Sequence, residues 1–293
     1  MNITATRFAT KARTWLLIAG LTGLLIAIGL LLGGGFLYIF VGLAVLMNVA
    51  GYWFSDRLAL KASRAEPVEP GTMPELEGMV QDLSQRARVP VPRLFLIPSE
   101  QPNAFATGRN PKHAAVAVTQ GLLQHLPPDQ VKGVLAHEFA HIKNRDILVS
   151  SIAAMAAGAI AAVANFLQFS LLFGGDDDDS PLGLIGTLAT IIIAPLAATL
   201  IQLAVSRQRE YLADATGAQL LGRGEPLANA LETLERGAEA IPMNVNPATA
   251  SLYMVNPLPR RGVATLFMTH PPLAERIRRL RELDALAPAQ VVA

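Results

Sequence analysis

Apolar residues along this chain fall into three patterns, each predicting a different kind of element. Four stretches are almost wholly apolar: 15–32, 36–54, 147–173 and 182–205. Each is close to, or beyond, the roughly 20 residues a helix needs to cross a bilayer core, so each is predicted as a membrane span. Gly33-Gly34-Gly35 parts the first two, and Gly174-Gly175 followed by Asp176 to Asp179 parts the others, which gives two hairpins. A cleaved signal peptide is the rival reading of the first span. Its apolar core would run about 7–15 residues and end at a small-residue cleavage site, whereas here a second apolar run follows at once. For the later pair the rival is two buried helices of a soluble core, since Ala is only weakly apolar and Asn165 and Gln168 need partners in lipid. Pro195 kinks rather than breaks a membrane helix.

Periodic patterns fill the rest. Apolar residues at helical spacing predict helices over 74–88 (Leu76, Met79, Val80, Leu83), from Pro127-Pro128-Asp129 through 131–146, over 206–222 and over 225–240. A last helix, 272–286, sets Leu273, Ile277, Leu280 and Leu283 opposite an arginine-rich face. Arg93–Ile97 reads as a short strand, and 104–107 and 114–119 as a strand pair joined by the turn formers Gly108 to Lys112. The Pro- and Asn-rich stretch 241–269 reads as a long irregular loop. The fold class expected is a mainly α membrane protein: four transmembrane helices carrying an α+β catalytic domain split between two segments. The divisions are 1–55 (first hairpin), 56–146 (first catalytic segment), 147–205 (second hairpin) and 206–293 (second catalytic segment).

Charge orients this arrangement. Arg7, Lys11 and Arg13 precede span one, Arg57, Lys61 and Arg64 follow span two, Lys143 and Arg145 precede span three, and Arg207 and Arg209 follow span four. All four clusters fall on one side, which the positive-inside rule makes cytoplasmic. Only 16% of the residues are charged and 52% are hydrophobic, against about 25% charged in soluble proteins. The net charge of +1 argues against nucleic acid as a partner. There is no cysteine, so disulfides and thiolate metal sites are excluded, and His, Asp and Glu are the available ligands.

Within the 131–146 helix, His137-Glu138-Phe139-Ala140-His141 spells H-E-x-x-H. Residues four apart share a helix face, so both imidazoles can reach one ion with Glu138 beside them as general base for a metal-acidified water. A catalytic zinc site needs a third protein ligand and an open position. The continuation x-x-G-x-x-H is absent, since Asn144 and Ile147 stand at its positions, and His113, His125 and His270 have no metal-type neighbour at helical spacing. Glu210 is the better candidate, with Asp214 one turn on and able to orient a ligand histidine. His141 lies about five residues before span three and Glu210 about five after span four, each roughly 8 Å above the same membrane surface. The competing reading is an interfacial helix whose Arg207, Arg209, Glu210 and Asp214 merely face water.

Four stretches resemble the HtpX-type membrane zinc metalloproteases, relatives of the CAAX prenyl endopeptidases. They are Asn103 to Gly108, His137 to Asp146, Ser206 to Asp214, and Thr269-His270-Pro271-Pro272-Leu273 with Glu275-Arg276-Ile277. The likeness implies a zincin-like endopeptidase of the bacterial inner membrane, multi-pass, with its active site in the cytoplasm. Its substrates would be misfolded or damaged membrane proteins and unfolded polypeptides, in quality control and the stress response. By the same likeness one Zn2+ per chain is held by His137, His141 and Glu210, Glu138 is the base, His270 stabilises the oxyanion, and Arg276 pairs with Asp214. For substrate, the expectation is a peptide adding to the edge of the 114–119 strand, with Asn103 binding its backbone or else only satisfying its own loop. His270 has a similar rival role, capping the last helix. The functional alternative is a membrane scaffold, not a peptidase, whose metal site is structural or vestigial.

Overall fold

Strands between residues 66 and 119 build one mixed sheet, and the helices that bear the motif residues pack on one of its faces. The computed structural model describes residues 35–152, 207–257 without 244 and 246, 271–286, and parts of 19–30. In chain order the elements are α1 (Phe36–Ala62), β1 (Glu66–Pro67), α2 (Pro74–Ala87), β2 (Arg93–Ile97), β3 (Ala104–Thr107), β4 (Ala115–Thr119), α3 (Gln120–His125) and α4 (Pro128–Asn144). After the stretch 153–206, which lies outside the described residues, come α5 (Arg207–Leu221), α6 (Glu225–Ala240), α7 (Pro247–Ala250) and α8 (Leu273–Leu286).

The sheet order is β1-β2-β4-β3. β2 runs parallel to β4 in the register Arg93↔Ala115 to Ile97↔Thr119, and β3 runs antiparallel to β4 with Ala104↔Val118 and Ala106↔Val116. The 114–119 strand is therefore central. The expectation that a peptide adds to its edge is corrected: both of its sides are occupied, and the edge on that side of the sheet belongs to β3.

Period-2 alternation sorts the two faces. Ala104, Ala106, Val116 and Val118 join the main core with Leu76, Val80 and Leu83 of α2, Val134, Leu135 and Phe139 of α4, and Leu227, Leu231 and Leu234 of α6. Phe105, Ala115 and Ala117 face the other way, against Ala59 and Leu60 of α1 and Leu252 and Tyr253. With both faces covered, the run Ala-Val-Ala-Val of β4 carries no polar alternation, which is what a doubly buried strand requires.

Two glycines let the helices of the core approach one another. A Cβ on Gly133 of α4 would come within 2.8 Å of Leu227 N in α6, and one on Gly217 of α5 within 3.1 Å of His137 N. The second contact sets α5 directly against the motif turn.

The expected helices 74–88, 206–222 and 272–286 are present within a residue or two of their predicted ends, and 225–240 is α6. Within 241–269 a single short helix, α7, is described, followed by turns and bends at 251–255 that lead to Pro257. Residues 153–173 of the span expected at 147–173, all of 182–205, and half of 15–32 lie outside the described residues. The one expected at 36–54 falls in α1, whose Tyr38, Ile39, Leu46 and Trp53 are exposed. Among the described residues no helix is long and apolar enough to cross a membrane.

Candidate metal centre

The motif helix α4 starts where the sequence stops requiring backbone donors. Pro127 caps it and Pro128 takes the first turn, where an N–H would have no partner. It ends at Arg145, whose φ of 63° is left-handed, so that the Asp146 N–H turns back to His141 O at 3.2 Å. That reversal brings the Asp146 carboxylate over the ring it follows: His141 Nδ1 lies 3.1 Å from Asp146 Oδ2. On the other histidine, His137 Nδ1 lies 2.9 Å from Asp214 Oδ1. Carboxylates only accept, so the proton sits on each Nδ1 and each Nε2 presents a lone pair.

Those two Nε2 atoms are 3.0 Å apart. Glu210 of α5 approaches both, with Oε2 3.7 Å from His137 Nε2 and Oε1 3.7 Å from His141 Nε2. Glu210 and Asp214, one turn apart on α5, thus serve different ends of the same ring. Arg276 of α8 completes the cluster, donating through Nε to Asp214 Oδ2 at 2.8 Å and through Nη2 to Asp214 Oδ1 at 2.7 Å. Its Nη1 lies 3.8 Å from Glu210 Oε2.

Burial and crowding set the charges. Burial pushes the Glu138 carboxyl up to about 7, with Glu210 adding to the rise and His141, Arg276 and the Ala106 backbone opposing it. Burial also lowers His137, outweighing the help it receives from Asp214. For His141 burial works downward too, yet Asp146, Glu210 and Glu138 together carry it up to about 10. Asp214 goes the other way: burial would raise it, but Arg276 and His137 hold it down to about 2.

This donor set fits a cation. Two lone pairs and a carboxylate converge on one point with ligand atoms within 4.8 Å of one another. Four carboxylates, Glu138, Asp146, Glu210 and Asp214, surround that point. The ligands are two nitrogens and a carboxylate oxygen, the type that suits zinc, with a fourth position left for water.

Among the expected site residues, His137, Glu138, His141, Glu210, Asp214 and Arg276 come together; His270 lies outside the described residues. Asn103 is fully buried and engaged by the chain itself: its Nδ2 donates to Val255 O at 2.7 Å and its Oδ1 accepts from Ala104 N–H at 3.1 Å. Its amide thus ties the start of β3 to the stretch after α7 rather than to its own loop alone. His113 and His125 are exposed. Asp146 was given no role from the sequence; its place five residues after His141, past a left-handed turn, has no helical-spacing signal. Ser251, Leu252 and Met254, which also line the cavity over the motif, had none either, and Arg209, expected only as part of a basic cluster, is buried beside them.

Comparisons with known proteins agree with this geometry. The profile of Peptidase family M48 matches residues 70–284. A "Protease HtpX homolog" of Syntrophobacter fumaroxidans is 52% identical over 281 residues, covering 94% of this chain and 99% of that one. One from Pyrococcus furiosus is 50% identical over 274 residues, covering 92% and 95%. Among solved structures, S. mikatae Ste24p superposes with a TM-score of 0.50 at 22% identity, covering 94% of this chain and 67% of that one, which supports the fold alone. With its profile matched across both catalytic segments and its relatives aligned nearly end to end, the chain belongs to peptidase family M48.

Proposed function

We propose that this chain is a membrane-anchored zinc endopeptidase that cuts unfolded and damaged membrane polypeptides at the cavity over His137 and His141. As a member of its family it is a zinc-dependent metalloprotease. The observation that carries the residue assignment is the convergence of His137, His141 and Glu210.

His137 Nε2, His141 Nε2 and a Glu210 oxygen would hold one Zn2+. Zinc at such a set supplies Lewis acidity towards a peptide carbonyl and towards water. Glu138 takes the proton of the attacking water and hands it to the amine nitrogen as the C–N bond breaks. A buried carboxyl near neutrality suits both halves of that transfer. Asp214 and Asp146 fix the two rings by their Nδ1 protons, and Arg276 fixes Asp214. His270 is assigned the oxyanion by likeness to the family motif.

The membrane part of the proposal is two hairpins, at 1–55 and 147–205, with the catalytic segments 56–146 and 206–293 on the cytoplasmic side of a bacterial inner membrane. It is supported by the basic clusters flanking each apolar stretch and by α1, whose Tyr38 and Leu46 are 80% and 64% exposed. An apolar surface of that kind calls for lipid or a partner. The scaffold alternative is disfavoured because structural zinc sites close with four protein ligands, and the described residues bring three together.

The test is a paired assay in detergent with zinc, wild type against Glu138→Gln, on an unfolded model protein. We expect the variant to lose roughly a hundredfold or more in rate while retaining one zinc per chain by elemental analysis. Equal cleavage by both proteins would remove the peptidase proposal.

A further inference from the structure

The stretch after α7 runs along the outer edge of β3. Thr119 N–H donates to Asn103 O at 3.0 Å, so Asn103, Phe105 and Thr107 point their backbone groups at β4. Ala104 and Ala106, alternating with them, point theirs outward. One of these outward positions is taken: Ala104 O accepts from Met254 N–H at 3.0 Å. Asn103 closes on the next residue from both sides, donating to Val255 O at 2.7 Å and accepting from Val255 N–H at 3.3 Å. The protein's own backbone therefore ends the usable edge at Ala104, and the Ala106 N–H is engaged by the Glu138 carboxylate, which leaves the Ala106 carbonyl as the first outward group for a substrate.

Side chains along 252–254 divide between the two faces of the sheet. Tyr253 turns against Phe105, ring centroids 5.1 Å apart, on the face away from the motif helix, and Met254 joins the core on the motif side. Leu252 packs with Phe105 and Tyr253, yet it and Met254 both border the cavity that His137, Glu138 and His141 line. That cavity measures about 30 Å³, more than the roughly 10–15 Å³ one water needs but far below the several hundred Å³ of pockets that take large ligands. Peeling the stretch away would expose four buried side chains, Leu252, Tyr253, Met254 and Val255, and new backbone hydrogen bonds to a peptide return far less than that burial contributes. The stretch is a wall, not a lid.

We infer that Leu252 and Met254 are specificity-determining residues. They narrow the subsite beside the scissile bond so that it takes a small side chain (Gly, Ala or Ser), and the substrate backbone pairs with β3 only from the Ala106 carbonyl onward. This inference rests on the peptidase reading above.

The full-length, zinc-loaded protein in detergent is given matched peptides that differ only in Ala or Leu at each position around the cut. Wild type should favour Ala over Leu at one position. Leu252→Ala should raise the Leu-to-Ala ratio of kcat/KM there by roughly tenfold or more, and Leu252→Phe should lower it. Met254→Val probes the same wall if Leu252→Ala fails to fold. A ratio unmoved in all variants that cut, or a uniform slowing of every peptide, overturns the inference while leaving the peptidase reading intact. No cleavage by wild type would sink both. Hydrogen exchange on Glu138→Gln with saturating Ala peptide gives an independent readout: the Met254 amide should stay protected, and loss of protection would overturn the wall.

Discussion

Arg276 and Asp214 face each other through two parallel hydrogen bonds of 2.8 and 2.7 Å, both side chains buried beneath the ring of His137. The same Asp214 Oδ1 also accepts from His137 Nδ1 at 2.9 Å. The pair thus does two jobs, neutralising a buried acid and fixing a ring. Removing Arg276 leaves that acid uncompensated, so Arg276→Ala should cost about 3–5 kcal/mol of stability, read by chemical denaturation. A charge swap, Asp214→Arg with Arg276→Asp, should not restore activity, because an arginine at 214 cannot accept the His137 proton. Recovery in the double variant would show that only the charge matters.

Asp146 plays for His141 the part that Asp214 plays for His137, but from the chain that reverses at Arg145. Its oxygen, 3.1 Å from Nδ1, fixes the tautomer and the ring plane. Asp146→Ala should weaken zinc binding by about 10–100-fold in a chelator competition. The His141 imidazole left behind can shed its proton, whereas the acid left by Arg276→Ala stays charged, so the melting temperature of the metal-free protein should change much less than for Arg276→Ala.

What the sequence revealed and what it hid follow from the range of the forces involved. The spacing of His137 and His141 is local: one helical period sets it, whatever the rest of the chain does. Glu210 could be found because two ligands were insufficient and apolar stretches of known length tied its height to theirs. Asp146 was hidden because its approach depends on a left-handed arginine, a conformation no pattern of apolar residues encodes. The order of the strands was hidden too. Alternation shows that 104–107 and 114–119 pair, but the parallel crossover that seats β4 beside β2 is decided by helices packing on the sheet. The wall at 252–254 looked irregular because its partner is an isolated edge position and an asparagine side chain rather than a second strand.

Helix approach around the site gives a stability test with opposite signs at two glycines. A methyl on Gly133 would meet Leu227 N at 2.8 Å, backbone that cannot step aside, whereas one on Gly78 of α2 meets nothing within 4 Å. Gly133→Ala should destabilise by about 1–3 kcal/mol. Gly78→Ala, exposed and mid-helix, should stabilise by roughly 0.5–1 kcal/mol. Thermal melts of the two variants beside wild type check both, and matching shifts would contradict the packing described.

Tyr253 offers a pH readout for the wall. Burial pushes its phenol up to about 12, with Ser63 opposing. A folded value above the unfolded one, near 10, means the stabilising contribution is complete below pH 10. It is lost as pH rises from 10 through 12, about 3 kcal/mol in full. Ultraviolet titration should show one late tyrosine component that vanishes in Tyr253→Phe, and the variant's stability should fall less between pH 10 and 12 than that of wild type.

Metal removal tests the centre as a whole. Four carboxylates crowd a point that two histidine lone pairs face, so the native fold gains from a cation there and the unfolded chain does not. Free zinc at a thousand times its dissociation constant should add about 4 kcal/mol to stability, and chelation should remove it. Glu138→Gln, which leaves His137, His141 and Glu210 in place, should keep the full zinc-dependent rise, while Glu210→Ala should lose most of it. Melting curves with and without zinc for these proteins decide the point. A zinc response in Glu210→Ala equal to that of wild type would mean that the third ligand comes from elsewhere in the chain.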